Sequence, residues 1–164
     1  MSGPVRVVVV DDQAVVREGL ATVLGLLDGI EVVGVAGNGA EAVEVAARER
    51  PDVVLMDLRM PGFDGVGATR EIRAAQPAVE VVVLTTYADD DSIFGALRAG
   101  ARGYLTKDAG SREIERAVHA AAAGQALLDP AVQARVLGAA GGGGGSAAAG
   151  DDPPRDGDGP EGGG

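Results

Sequence analysis

The stretch Val53-Val54-Leu55-Met56-Asp57-Leu58-Arg59-Met60-Pro61-Gly62 decides how this chain is to be read. Four apolar residues in a row, with no polar residue between them, suit a strand buried on both faces. Such strands belong to parallel sheets with helices on either side. The run then breaks on a carboxylate and, four residues later, a Pro-Gly turn. The same layout recurs upstream, where Val7 to Val10 run into Asp11-Asp12, and downstream, where Val81 to Leu84 run into Thr85-Thr86.

Working outward, strands are expected over residues 5–10, 31–36, 53–56, 79–84 and 101–105. Between them the apolar residues take a helical period. Val16, Leu20, Val23 and Leu27 fall on one face, as do Val43, Ala46 and Ala47, then Ile93 and Leu97, then Ile114, Ala117, Val118 and Ala121. The third helix, over 65–75, has the poorest pattern because Gly65 and Gly67 lie in it. Asn38 with Glu41 three residues on resembles a capping box, and Asp64, Asp90 and Ser111 suit N-caps. Five strands alternating with five helices call for an α/β domain, an open five-stranded parallel sheet doubly wound by helices. Its domain is expected to span residues 4–137. Residues 138–164 hold 12 of the 27 glycines and a net charge of -4, and are expected to be a disordered Gly/Ala/Pro/Asp-rich linker or tail.

Composition removes several kinds of function. There is no cysteine, so thiolate chemistry, disulfides and sulfur-ligated metals are excluded. The single histidine, His119, lies off the apolar face of its helix and reads as a surface residue. A net charge of -11 opposes binding to DNA or to anionic membranes. Aromatics make up only 2% of residues, too few for a base-stacking platform. No apolar run approaches a membrane span and no signal peptide is evident, so a cytoplasmic location is expected.

A doubly wound sheet places its ligand site beyond the carboxyl ends of its strands. Asp11 and Asp12 follow the first strand, Asp57 the third, Thr85 the fourth, and Thr106-Lys107 the fifth. If the first and third strands are neighbours, three carboxylates converge. Like charges that close disfavour each other's ionised form, so the group needs a cation. An all-oxygen ligand set favours a hard ion such as magnesium. The pocket would bring a phosphoryl group against a carboxylate nucleophile, with Thr85 as a hydrogen-bond donor and Lys107 as a point charge. Lys107 is the only lysine beside thirteen arginines. A compact ammonium and a planar guanidinium are not interchangeable at a crowded phosphoryl site. The acidic run Asp89-Asp90-Asp91 reads as a solvated loop and helix start.

Four motifs in order resemble the receiver domain of two-component response regulators. They are Val7-Val8-Val9-Val10-Asp11-Asp12-Gln13, Val53 to Gly65, Leu84-Thr85-Thr86-Tyr87, and Gly103-Tyr104-Leu105-Thr106-Lys107-Asp108. The stretch Gly124 to Pro130 is similar to the end of receivers in the NarL/FixJ subfamily. The resemblance implies a flavodoxin-like strand order 2-1-3-4-5. It implies Asp57 as phosphoacceptor, and magnesium held by Asp12 and Asp57 directly, by Asp11 largely through water, and by the Arg59 backbone carbonyl. Thr85 would be the switch hydroxyl, Lys107 the phosphoryl clamp, and Tyr104 an aromatic that changes rotamer. From the pattern alone, Tyr104 reads as an edge-strand core residue.

The implied partner is a sensor histidine kinase, with a homodimer also allowed. Control of transcription would act through a LuxR-type helix-turn-helix domain of a longer parent protein, which these residues do not supply. The chain itself is therefore expected not to bind DNA. The segment Asp108 to Arg112 lacks the Ser-Pro expected at the start of the fifth helix. Competing classes fit less well. A dehalogenase-like phosphohydrolase wants a second Asp two residues after the nucleophile, where Arg59 stands. A flavin module wants a Ser/Thr/Gly-rich loop after the first strand, where Asp11-Asp12-Gln13 would repel phosphate. A phosphorylation-independent scaffold is disfavoured because every site residue is present.

Overall fold

The computed structural model describes residues 3–60, 62–86 and 89–142. The chain divides into two units, residues 1–129 and 130–164. The first contains β1 (Val5–Val10), α1 (Ala14–Gly25), β2 (Ile30–Ala36), α2 (Gly39–Glu49), β3 (Val53–Met56), α3 (Gly65–Ala75), β4 (Glu80–Thr85), α4 (Asp90–Arg98), β5 (Gly103–Thr106), α5 (Ser111–Ala122) and β6 (Leu127–Leu128). The second contains α6 (Pro130–Gly142), which opens on a proline, a residue already set for the first helical position. That helix runs past the boundary drawn at residue 137. The rest of the expected tail, residues 143–164, lies outside the described residues.

All strands are parallel, in the order β2-β1-β3-β4-β5-β6. This is the doubly wound, flavodoxin-like sheet with one strand more than expected. β6 pairs Leu127 and Leu128 with Gly103 and Tyr104. Two residues are too few to show a period, so the strand could not be read from its pattern. The bare Cα of Gly103 helps to admit it, since a Cβ there would lie 3.0 Å from the Leu127 carbonyl oxygen.

The apolar runs behave as their lack of alternation demands. Val7 and Val9 of β1 face one way with Leu55 and Leu84, against Leu24 of α1 and Ile114, Ala117, Val118 and Ala121 of α5. Val8 and Val10 face the other way with Val54 and Met56, against Ala42, Val45 and Ala46 of α2 and Ala68 and Ile72 of α3. Burying one such valine contributes roughly 1.5–3 kcal/mol, so each strand is held from both sides.

Helix starts follow local chemistry, with two corrections. Asn38 and Asp64 cap as expected, accepting from the Glu41 and Gly67 N–H groups. The Glu41 carboxylate reaches back to the N–H of Gly37. α4 is capped by Asp89, not Asp90, because Asp89 stands three residues before the Ser92 N–H that it accepts. α5 starts from Gly110, not Ser111, with the Glu113 carboxylate accepting the Gly110 N–H. Strand ends also shift, making Thr85 and Thr106 the last residues of β4 and β5.

The glycine that spoils the pattern of α3 is there for space. A Cβ on Gly65 would lie 2.1 Å from the Asp57 carbonyl oxygen and 2.7 Å from Leu58 Cα, both backbone atoms. α3 therefore abuts the carboxyl end of β3 with nothing between. Gly65→Ala should lower the urea-unfolding free energy by roughly 1–3 kcal/mol, because the crowding has no soft side chain to yield. Gly19, inside α1 with open space around it, should give the opposite sign. Gly19→Ala is expected to add about 0.5–1 kcal/mol in the same measurement.

Candidate functional site

Backbone register brings the site together. β1 and β3 are neighbours with Val10 beside Met56, so the next residues of each, Asp11 and Asp57, emerge side by side. The Asp57 N–H donates to the Val10 carbonyl at 3.1 Å, and the Asp11 N–H to Ala36 at 3.1 Å. The sheet order turns at this place: β2 lies on one side of β1 and β3 on the other, which is the switch point of the topology. Across β4, Thr85 stands beside Thr106, and the Lys107 N–H donates to the Thr85 carbonyl at 2.9 Å. Lys107 is thereby aimed back over the ends of β3 and β1.

Its ammonium bridges two carboxylates. Lys107 Nζ lies 2.5 Å from Asp11 Oδ2 and 3.4 Å from Asp57 Oδ2. Asp11 is buried and fully engaged, its other oxygen accepting the Gln13 N–H at 2.9 Å. Asp12 is exposed, and among the described residues nothing pairs with its carboxylate. Ligand oxygens of Asp11, Asp12 and Asp57 all lie within 4.8 Å of one another. The donor set is three carboxylates with only one ammonium to offset them. It has neither sulfur nor imidazole, and its oxygens could hold a metal ion.

Burial pushes the Asp57 carboxyl above the ordinary range, and the neighbouring Asp11 charge adds to this, while Lys107 and the Arg59 N–H act against it. Burial disfavours the charged form of Lys107, but its hydrogen bond to Asp11 and the charges of Asp57 and Asp11 outweigh burial and raise the ammonium.

Most of the expected residues meet at one recess, lined by Asp12, Asp57, Arg59 and Lys107, with Gln13, Val16 and Thr86 at its wall. Thr85 is fully buried at the end of β4, and its exposed neighbour Thr86 lines the recess instead. Tyr104 is buried in a strand flanked on both sides, by β4 and β6, and so is not on an edge. Its phenol is pushed up to about 12, by burial first and then by the Asp89 charge, with Arg59 opposing. His119 is exposed, as expected.

The acidic run resolves into a cap, Asp89, and two first-turn acids, Asp90 and Asp91, which suit the positive end of the helix dipole. Sequence reasoning assigned only a backbone carbonyl to Arg59 and nothing to Ser92. The side chain of Arg59 in fact approaches Asp89 at 3.6 Å and Ser92 Oγ at 3.3 Å. The Asp-x-x-Ser spacing of a cap was the available signal.

Comparison with known proteins agrees with this geometry. Residues 7–119 match the response regulator receiver domain, and the chain belongs to that family. Phosphorylation on an aspartate is standard for the family, whose members interact with histidine kinases. Among its relatives, the transcriptional regulatory protein LnrK of Bacillus subtilis (strain 168) is 43% identical over 133 residues, covering 81% of this chain and 60% of LnrK. The DNA-binding transcriptional activator DevR/DosR of Mycobacterium tuberculosis is 40% identical over 140 residues, 83% of this chain and 64% of that protein. The chain thus spans less than two thirds of the length of these relatives. Among solved structures, a LuxR-family two-component response regulator from Aurantimonas sp. SI85-9A1 superposes with a TM-score of 0.78 at 32% identity, covering 82% of this chain and 96% of the other. The signal receiver domain of the putative response regulator NarL from M. tuberculosis gives 0.72 at 38% identity, covering 76% and 100%.

The electrostatics of Asp57 have a thermodynamic consequence. A carboxyl raised on folding supports the fold below its unfolded value, and that support is lost as pH rises through the folded value. At neutral pH, with no divalent cation, Asp57→Asn should therefore raise the urea midpoint. The two proteins should converge as pH falls below the carboxylate range.

Proposed function

We propose that Asp57 accepts a phosphoryl group from a phosphohistidine of a sensor histidine kinase, and that this chain is a phosphorylation-controlled switch. The observation that carries this reading is the Lys107 ammonium shared between Asp11 and Asp57 at the ends of adjacent strands. In the step, an Asp57 carboxylate oxygen attacks phosphorus. The new O–P bond forms as the N–P bond breaks, and the electron pair returns to the imidazole nitrogen.

In this reading Lys107 neutralises an equatorial phosphoryl oxygen, and the Thr85 hydroxyl, buried beside the recess in the unmodified chain, turns toward the phosphoryl group to donate to another. Magnesium, in this reading, is held by Asp12 and Asp57, by Asp11 largely through water, and by the Arg59 carbonyl. When bound it supplies charge neutralisation for the transferring group. Asp12 suits direct contact because its carboxylate is unpaired, whereas both Asp11 oxygens are already engaged.

Water can attack the product, an acyl phosphate, so the signal decays without a second enzyme. The domain assists its own phosphorylation and dephosphorylation, and its output is the modified state of the chain. Read-out falls to the face formed by α4, β5 and α5, where Tyr104 lies and where a homodimer would be one outlet. Control of transcription would come through an output domain of a parent protein in the cytoplasm. No helix among the described residues is long and apolar enough to cross a membrane. The acidic chain itself is not expected to hold DNA.

Intact-mass measurement with a small acyl phosphate donor and magnesium should show one added phosphoryl group, absent in Asp57→Asn. Persistence of the addition in that variant overturns the assignment. Asp12→Asn should lose the thermal stabilisation that magnesium gives the wild type, about 1.4 kcal/mol at ten times the dissociation constant. The lone lysine supplies an independent check. An amine reagent can label only Lys107 and the N-terminus, and only a neutral amine reacts. Phosphorylation should slow labelling of Lys107 and leave the N-terminus unaffected, and Asp57→Asn should show no such protection. Equal labelling of Lys107 in every state would remove it from the phosphoryl site.

A further inference from the structure

Arg59 stands between two recesses. One is the hollow of Asp12, Asp57 and Lys107. The other lies at the start of α4 and is lined by Arg59, Asp64, Asp89, Asp91 and Ser92. Its backbone N–H faces Asp57, while its guanidinium reaches the cap of α4. That cap is made by Asp89, whose Oδ2 accepts the Ser92 N–H at 3.1 Å and whose Oδ1 accepts the Ser92 hydroxyl at 2.8 Å. Arg59 Nη2 lies 3.6 Å from the same Oδ1 and donates to Ser92 Oγ at 3.3 Å. A single residue therefore borders the recess of Asp57 and reaches the α4 cap with its side chain.

We propose that Arg59 is a positioning residue that couples the state of Asp57 to the cap of α4. In the unmodified pocket its guanidinium rests on Asp89 and Ser92. A phosphoryl group on Asp57 competes for it and draws it off the cap. The proposal rests on the phosphoacceptor reading and deepens it.

The direction of exchange follows from charge and geometry. Asp89 carries one negative charge and its side chain is half exposed, and exposed ion pairs at such distances are weak. A phosphoryl group carries close to two negative charges and presents three acceptor oxygens, which a guanidinium fork matches well. The modified pocket sets Asp11, Asp12 and a near-dianion against Lys107 and one divalent cation, so about one negative charge stays unopposed. Asp64, the cap of α3, and Asp91 of α4 line the same recess and add negative charge on that side, which makes this a balance rather than a fixed contact. The buried Tyr104 lies within reach of the result, since its phenol is raised by the Asp89 charge and lowered by Arg59. Moving Arg59 leaves Asp89 to act on Tyr104 alone.

The test is amide hydrogen exchange over the first turn of α4, above all at Ser92, with intact mass read on the same samples. In the wild type, phosphorylation with an acyl phosphate donor and magnesium should speed exchange there several-fold. Asp89→Asn keeps a good capping residue but removes the charge that holds Arg59. Its exchange should differ little between the unmodified and modified states. Arg59→Ala should also lose the difference. A full wild-type response in either variant overturns the coupling, as does an unchanged α4 in wild-type protein that the mass shows to be modified. Those results leave the phosphoacceptor reading standing. Failure of the wild type to gain a phosphoryl group would instead sink that reading and the coupling with it.

Discussion

Three carboxylates are forced to one point by the register of two strands, and one ammonium bridges two of them. Everything else in the site is arranged around that imbalance. The apolar sandwich of β1 and β3 fixes Asp11 and Asp57 side by side with no freedom to separate. Bringing like charges out of water is costly unless they are paired and hydrogen-bonded. Lys107 and the Gln13 and Arg59 N–H groups offset part of that cost. Two negative charges remain, one of them on Asp12, which stays in solvent. A centre built this way is short of positive charge, and that shortage is what gives it an appetite for a cation.

The same strands explain why such a centre can be linked to distant surface. A sheet packed on both faces does not deform gradually. Change at the carboxyl ends of β3 and β4 is passed instead to the parts that can move, the caps and connecting loops. Arg59 and Asp89 lie in these parts, on the two sides of the gap between the β3–α3 connection and α4. Their contact is exposed and weak, as a contact meant to be exchanged should be.

Much of this was legible in the sequence because long-range placement was encoded locally. Unbroken apolar runs such as Val7–Val10 mark strands buried on both faces, and a carboxylate directly after such a run must sit at the sheet's carboxyl edge. That logic located Asp11 and Asp57, whereas Thr85 proved to be the buried last residue of β4, with Thr86 at the recess. What it missed was set by tertiary contact. The two-residue β6 has no period of its own, and the bare Cα of Gly103 helps it approach. Gly65 looked like a weakness in α3 until the Asp57 carbonyl was seen against its Cα. The side chain of Arg59 was invisible for a similar reason, since its partners lie about thirty residues away across a turn of the fold. The shift from Asp90 to Asp89 as cap was a matter of one position in a run of identical residues, where only the Ser92 N–H could decide.

The brevity of β6 has a meaning for the life of the chain in a crowded solution. Without it, β5 would present a row of unpaired peptide groups flanked by Tyr104 and Leu105, a template on which a foreign strand could grow. With it, that margin of the sheet is closed by a strand only two residues long, too short to recruit a neighbour in register. The protein thus closes the β5 margin of its sheet with the smallest piece of chain that can do so, and blunts that edge at almost no cost in sequence.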